Sequence, residues 1–172
     1  MNCPHCGHDN IDGIDACEEC GQPLTTLQEP ESDLERAITQ HPVRVLVPKR
    51  PITVSAATTV QEAVEEMVNK RIGCLLVEDA GKITGIFTER DVLNRILPNR
   101  EALQHPVSDY MTASPQMVNL TDSIAYAMNE MSVGGYRHLP IAGADGEPVG
   151  IISARDLLRY LSIRFADLRN DV

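Results

Sequence analysis

The sequence predicts an α+β fold in which one strand–helix–strand–strand–helix unit is built twice, behind a small metal-held segment. Three observations predict it. A motif of glycine, two apolar residues, a hydroxyl residue and then aspartate occurs as Gly85-Ile86-Phe87-Thr88-Glu89-Arg90-Asp91 and again as Gly150-Ile151-Ile152-Ser153-Ala154-Arg155-Asp156. The surrounding sequence repeats with it: His41-Pro42-Val43 returns as His105-Pro106-Val107, and the same offset carries Pro51 to Pro115, Val54 to Val118, Ala63 to Ala127, Glu66-Met67 to Glu130-Met131 and Leu75 to Leu139. Self-similarity of this length marks one supersecondary unit that cannot bury its apolar face alone. Lastly, four of the five cysteines fall within residues 1–24.

At 172 residues there is room for one ordinary domain and a small appendage. The hydrophobic share of 42% allows a true core, and with aromatics at 3% and no Trp that core must be aliphatic. A formal charge of −10 argues against a nucleic-acid partner, whose phosphates demand a basic face. No apolar run reaches the length of a membrane span, and the N-terminus carries no signal-peptide pattern. The expectation is a soluble, cytoplasmic protein with no membrane partner.

Residues 1–24 read as a zinc ribbon. Cys3-x-x-Cys6 and Cys17-x-x-Cys20 are each followed by glycine, Gly7 and Gly21. A C-x-x-C turn points two thiolates at one centre, and the glycine lets the backbone turn its amides toward sulfur. Two such turns complete a tetrahedral Cys₄ site with Zn–S bonds near ~2.3 Å. Iron in a rubredoxin-like site uses the same ligands and stays open. Disulfides would need an oxidising compartment. His5 and His8 are expected at the surface, because four thiolates already fill the shell. So short a segment cannot build a core, and the metal supplies its folding energy. Asp9, Asp12, Asp15, Glu18 and Glu19 crowd it, with no Lys or Arg before Arg36. That dressing suits a structural role or contact with a protein partner better than nucleic acid.

Residues 25–40 form an acidic linker running into a short helix capped by Ser32 and ended by Pro42. The first unit, 41–103, opens with a strand at Ile52-Thr53-Val54. A helix follows, capped by Thr58 with Gln61 as partner, and buries Val60, Ala63, Val64, Met67 and Val68. Cys74-Leu75-Leu76-Val77 is an unbroken apolar run, hence a strand buried on both faces, with Cys74 a core residue. Asp79-Ala80-Gly81-Lys82 turns it into Ile83-Thr84-Gly85-Ile86-Phe87, and a helix from Asp91 to Leu97 stops at Pro98. The second unit, 104–172, has Met117-Val118 as the counterpart strand and a helix capped by Asp122 or Ser123. Its last helix is long, with Leu157, Leu158, Leu161, Phe165 and Leu168 as an apolar stripe.

Taken singly, Thr88-x-x-Asp91 and Ser153-x-x-Asp156 read as capping boxes. Taken as a pair, with glycine, strand and arginine recurring, they read as two copies of a nucleotide-sized site. A helix N-terminus beside a hydroxyl suits phosphate, and a carboxylate one turn in suits the hydroxyls of a ribose.

The unit order and the doubled G-h-h-[T/S]-x-x-D ending over residues 41–165 resemble the cystathionine-β-synthase (CBS) domain, here in tandem. The resemblance implies two units related by a pseudo-twofold, with two clefts that take AMP, ADP, ATP or another adenosyl ligand for regulation rather than catalysis. It implies Asp91 and Asp156 on the ribose, and Thr88 and Ser153 toward the phosphate with Arg90 and Arg155 nearby. Ile52, Thr53 and Val54, or Met117 and Val118, would lie against the adenine. Arg137 and His138 carry over as phosphate contacts; the first unit has Gly73-Cys74 there, so the two sites should be unequal. The resemblance also implies a homodimer formed through the helices.

Overall fold

The structure is a computed structural model that describes residues 1–3, 5–11, 13–22, 24 and 33–170, without the side chains of 168–170. The expected Ser32 cap, the residue Asp12, most of the linker and the side chain of Leu168 lie outside the described residues. Backbone contacts divide the chain into two compact units, one of Met1–Pro48, Val118–Leu139 and Ile152–Val172, the other of Lys49–Met117 and Pro140–Ile151.

In the second of these units, β1 (Thr53–Ser55) pairs in parallel with β2 (Cys74–Asp79), which pairs antiparallel with β3 (Lys82–Thr88). A fourth strand, β4 (Thr112–Ala113), closes the sheet on β3, in the order β1-β2-β3-β4. The β2–β3 turn places Ala80 at φ 48° and Gly81 at φ 80°, the twin positive angles that a two-residue hairpin loop requires. β2 is buried on both faces, as its unbroken apolar run implies. Leu75 and Val77 join Val60, Ala63, Met67, Phe87, Ile96 and Val107 on one face. Cys74, Leu76 and Ile86 cluster on the other.

Helix α2 (Val60–Lys70) follows β1. Its cap is Thr59 with Glu62, one residue beyond the Thr58–Gln61 pair that the sequence suggests. Thr59 takes the Glu62 amide at 3.2 Å while the Glu62 carboxylate takes the Thr59 amide at 2.9 Å. Val60, Ala63 and Met67 face inward, but Val68, expected in that stripe, is 69% exposed. After β3 the chain makes only a short α-helical turn, α3 (Glu89–Asp91), and continues as a π-helix over Val92–Ile96, where the Leu97 amide reaches back to the Val92 carbonyl at 3.0 Å. The sequence pattern reads as one regular helix there and does not foretell the widened turn.

The other unit holds α1 (Asp33–Gln40), a 3₁₀ turn at Val43–Leu46, α4 (Ile124–Gly134) and α5 (Ala154–Asn170). α1 packs on α4, and the Val43–Leu46 turn packs on α5. Ser123 caps α4 by accepting from the Tyr126 amide at 3.0 Å, while Asp122 takes the Asn119 amide at 2.6 Å. Leu157 and Tyr160 are buried on α5, whereas Leu158 and Phe165 are 64% and 54% exposed, so the predicted stripe is split between two faces. β5 (His138–Ala142) and β6 (Pro148–Ser153) form a two-stranded sheet. Met117-Val118, expected as a strand, is reduced to a single bridging residue at Val118, while Thr112–Ala113 adds a short strand to β3.

The segment ahead of each repeat closes the helix of the other. The His41 carbonyl accepts the Ile124 amide at 2.9 Å and Pro42 bridges Ser123. The His105 carbonyl accepts the Val60 amide at 2.9 Å and Pro106 bridges Thr59. The compact units therefore do not follow the sequence repeat.

Candidate functional site

The two cysteine turns are copies of one another. The Cys3 amide donates to the His8 carbonyl and the Cys17 amide to the Gln22 carbonyl, each at 2.8 Å. Gly7 and Gly21 return to the carbonyls of Cys3 and Cys17 at 2.9 Å, with φ of 74° and 70°. Such positive angles are the reason glycine ends each turn. Cys3 and Cys20 sulfurs lie 3.7 Å apart and Cys6 and Cys17 sulfurs 3.4 Å, with all four within 4.8 Å. A tetrahedron with metal–sulfur bonds of about 2.3 Å has edges of about 3.8 Å. The four thiols therefore fit one tetrahedral ion. Burial opposes ionisation of Cys17, but the amides of Cys20 and Glu19 outweigh it and bring the thiol down to about 6. Burial raises Cys6 and Cys20.

The two motifs share one geometry. The Thr88 amide and hydroxyl both donate to Asp91 Oδ2, at 2.9 and 2.6 Å, and the Asp91 amide returns to Thr88 Oγ1 at 3.3 Å. The Ser153 amide and hydroxyl donate to Asp156 Oδ2 at 2.9 and 2.6 Å, and the Asp156 amide returns to Ser153 Oγ at 3.4 Å. Both aspartates are 7% exposed. The capping reading is thus realised twice, and it occupies one carboxylate oxygen at each motif. The other oxygen, Oδ1, faces an arginine: Arg95 Nε at 3.7 Å from Asp91 and Arg159 at 3.6 Å from Asp156. Neither arginine stands out in the sequence motif.

Two of the first three amides of each helix are used inside the protein. Glu89 donates to the Gly73 carbonyl and Asp91 to Thr88; Ala154 donates to the Arg137 carbonyl and Asp156 to Ser153. The Ala154 bond sets Arg137, exposed, and His138, half-buried, against the start of α5. Gly73 holds the matching place beside Thr88. Arg90 and Arg155 are exposed. Ile52 accepts the Leu76 amide at 3.0 Å and Thr53 pairs with Leu76, while Cys74 pairs with Thr88. Ile52 and Thr53 on β1 and Thr88 on β3 therefore lie toward one end of the sheet with β2 between them. Val54 follows on β1, half-buried. Val118 is buried at 2% and Met117 half-buried.

Gly85 is fixed by packing. A Cβ at Gly85 would collide with Met111 Sδ, so the motif glycine is where the Met111 side chain lies against β3.

The CBS domain model matches the chain twice, over residues 43–98 and 107–163. An uncharacterised 17.7 kDa protein of Acidianus ambivalens is 38% identical over 104 residues, 60% of this chain. The chain spans 62% of that relative's length. Among solved structures, a CBS-domain-containing protein of Agrobacterium tumefaciens is 30% identical with a TM-score of 0.63, over 69% of this chain and 97% of that one. CBSX2, solved in complex with AMP, is 26% identical with a TM-score of 0.62, over 72% of this chain and 98% of that one.

Proposed function

Because this chain belongs to the CBS-domain family, we propose that it is a regulatory module whose two motifs bind an adenine nucleotide or another adenosyl ligand. Its N-terminal ribbon holds zinc and contacts a protein partner. The observation that carries the reading is the doubled cap, which buries a carboxylate at each helix start, its Oδ2 held by the motif's own amide and hydroxyl and its Oδ1 beside an arginine. A ribose hydroxyl would join that arginine on the carboxylate. The complex of AMP with CBSX2 supports this ligand class.

Ile52–Val54 and Met117–Val118 are the adenine-side residues in this reading, with Thr88, Arg90, Ser153 and Arg155 on the phosphate side. Arg137 and His138 serve the Asp156 site alone, which makes it the stronger holder of a phosphate tail. The role is regulatory rather than catalytic. Each motif hydroxyl donates to its own capping carboxylate. A homodimer through the exposed apolar residues of α5 and a cytoplasmic setting complete the proposal; unpaired thiols suit a reducing compartment. The same four thiolates would accept iron, and the metal content of the purified protein separates the two.

The test is calorimetric titration with AMP, ADP, ATP and S-adenosylmethionine of the wild type, Asp91→Ala and Asp156→Ala. Micromolar binding that Asp156→Ala removes is the expected result. No heat with any of the four would reduce the motifs to helix caps and end the proposal.

A further inference from the structure

Four residues after each motif aspartate stands a side chain that grips the crossing segment. After Asp91 it is Arg95, whose Nη1 donates to the carbonyls of Tyr110 at 2.7 Å and Met111 at 3.2 Å. After Asp156 it is Tyr160, 8% exposed, whose hydroxyl lies 2.7 Å from His41 Nδ1 and 3.4 Å from the Ala37 carbonyl oxygen. Residues four apart on a helix share one face a turn apart, so the ligand carboxylate and the gripping side chain move together. The two grips hold different things. Arg95 holds the turn at Tyr110 and Met111 that leads into β4. Tyr160 holds Ala37 and His41, the end of α1, which leads back through residues 25–32 to the cysteine ribbon.

α1 is suited to respond. A helix of 8 residues is marginal by itself and depends on what it packs against. Ala37 is its buried residue among those described, packed where α1 meets α4. The Tyr160–His41 contact, with the rings edge to face at 71°, fastens its C-terminal end. Segments with so few buried contacts open locally far more readily than the core.

We infer that Tyr160 couples the Asp156 site to α1, so that occupancy of that site, and not of the Asp91 site, holds α1 docked and is passed toward the ribbon. This rests on the nucleotide-binding reading and names how the second site is read out. A ligand that orders the first turn of α5 favours the state in which Tyr160 is seated on His41 and Ala37. By linkage, loosening α1 must weaken the ligand by the same factor.

The experiment is amide hydrogen exchange on the full chain over residues 33–41, with and without AMP, beside calorimetry with AMP and S-adenosylmethionine. Ligand should slow α1 exchange in the wild type and in Asp91→Asn, but not in Asp156→Asn. Tyr160→Phe should lose the protection and bind roughly 2- to 10-fold more weakly, the worth of one hydrogen bond. His41→Ala, which leaves α5 untouched, should do the same. Measured binding that leaves α1 exchange unchanged, or protection that survives Asp156→Asn, would overturn the coupling while the nucleotide reading stands. No heat with either ligand removes both, and calorimetry reports that first.

Discussion

Asn10 ties the two cysteine turns together: its side-chain oxygen accepts the Glu18 amide at 3.0 Å, and its side-chain nitrogen donates to the His8 carbonyl at 2.9 Å. Asn10 is 4% exposed, so nothing else can take its place on either group. Asn10→Leu strands a buried amide beside Cys17, at about 1–3 kcal/mol. Faster loss of bound metal to a chelator, with the melting of the remaining fold unchanged, is the expected outcome.

The metal should behave as the core of the ribbon. The apolar cluster there is Cys3, Cys17 and Leu24 with a few half-buried neighbours, too little to fold residues 1–24 alone. One zinc per chain is expected by elemental analysis. Removing it with a chelator should unfold the ribbon, seen as loss of amide protection at Cys3, Gly7, Cys17 and Gly21, while α2 and β2 keep theirs.

Gly85 should be intolerant of one methyl group, and Met111 should be the reason. Gly85→Ala makes the flexible end of Met111 swing aside and is expected to destabilise by about 1 kcal/mol in urea titration. Met111→Ala costs on its own account, but combined with Gly85→Ala it should cost less than the two losses added. Strict additivity would mean that Met111 is not what excludes the side chain.

The α2 cap carries a pH signature. The Thr59 amide, and then its hydroxyl, hold the Glu62 carboxyl below the usual glutamate range. A carboxyl depressed on folding adds stability above its unfolded pKa, and that contribution is lost as pH falls through the lower folded value. The stability gap between the wild type and Glu62→Gln should therefore hold at neutral pH and close below about pH 4.3. Urea midpoints for the two proteins across that range measure it.

The repeat, the cysteine turns and the buried strand were legible because each writes a local pattern. The unbroken apolarity of Cys74–Val77 announces two covered faces, and Cys-x-x-Cys-Gly announces its own backbone geometry. What the pattern hides is set by distant partners. Arg95, Tyr160 and Asn10 matter through carbonyls, rings and amides that only the fold brings near. The Thr59 cap lost to Thr58 on paper because both offer a hydroxyl. Pairing of Pro106 with Thr59 decides between them. Thr112–Ala113 has no strand-like run at all, and its ladder on β3 comes from the glycine opposite it.

The exchange of His41–Val43 and His105–Val107 means that the sequence repeat and the fold divide this chain in different places. The first match to the family ends at residue 98, yet the helix capped by Thr59 receives its closing bond from His105, across that seam. A single copy excised at the seam would leave that closure behind and carry away one fitted to its twin. Such a half has no stable partner in itself, and two chains mixed as halves would regain it only by trading ends.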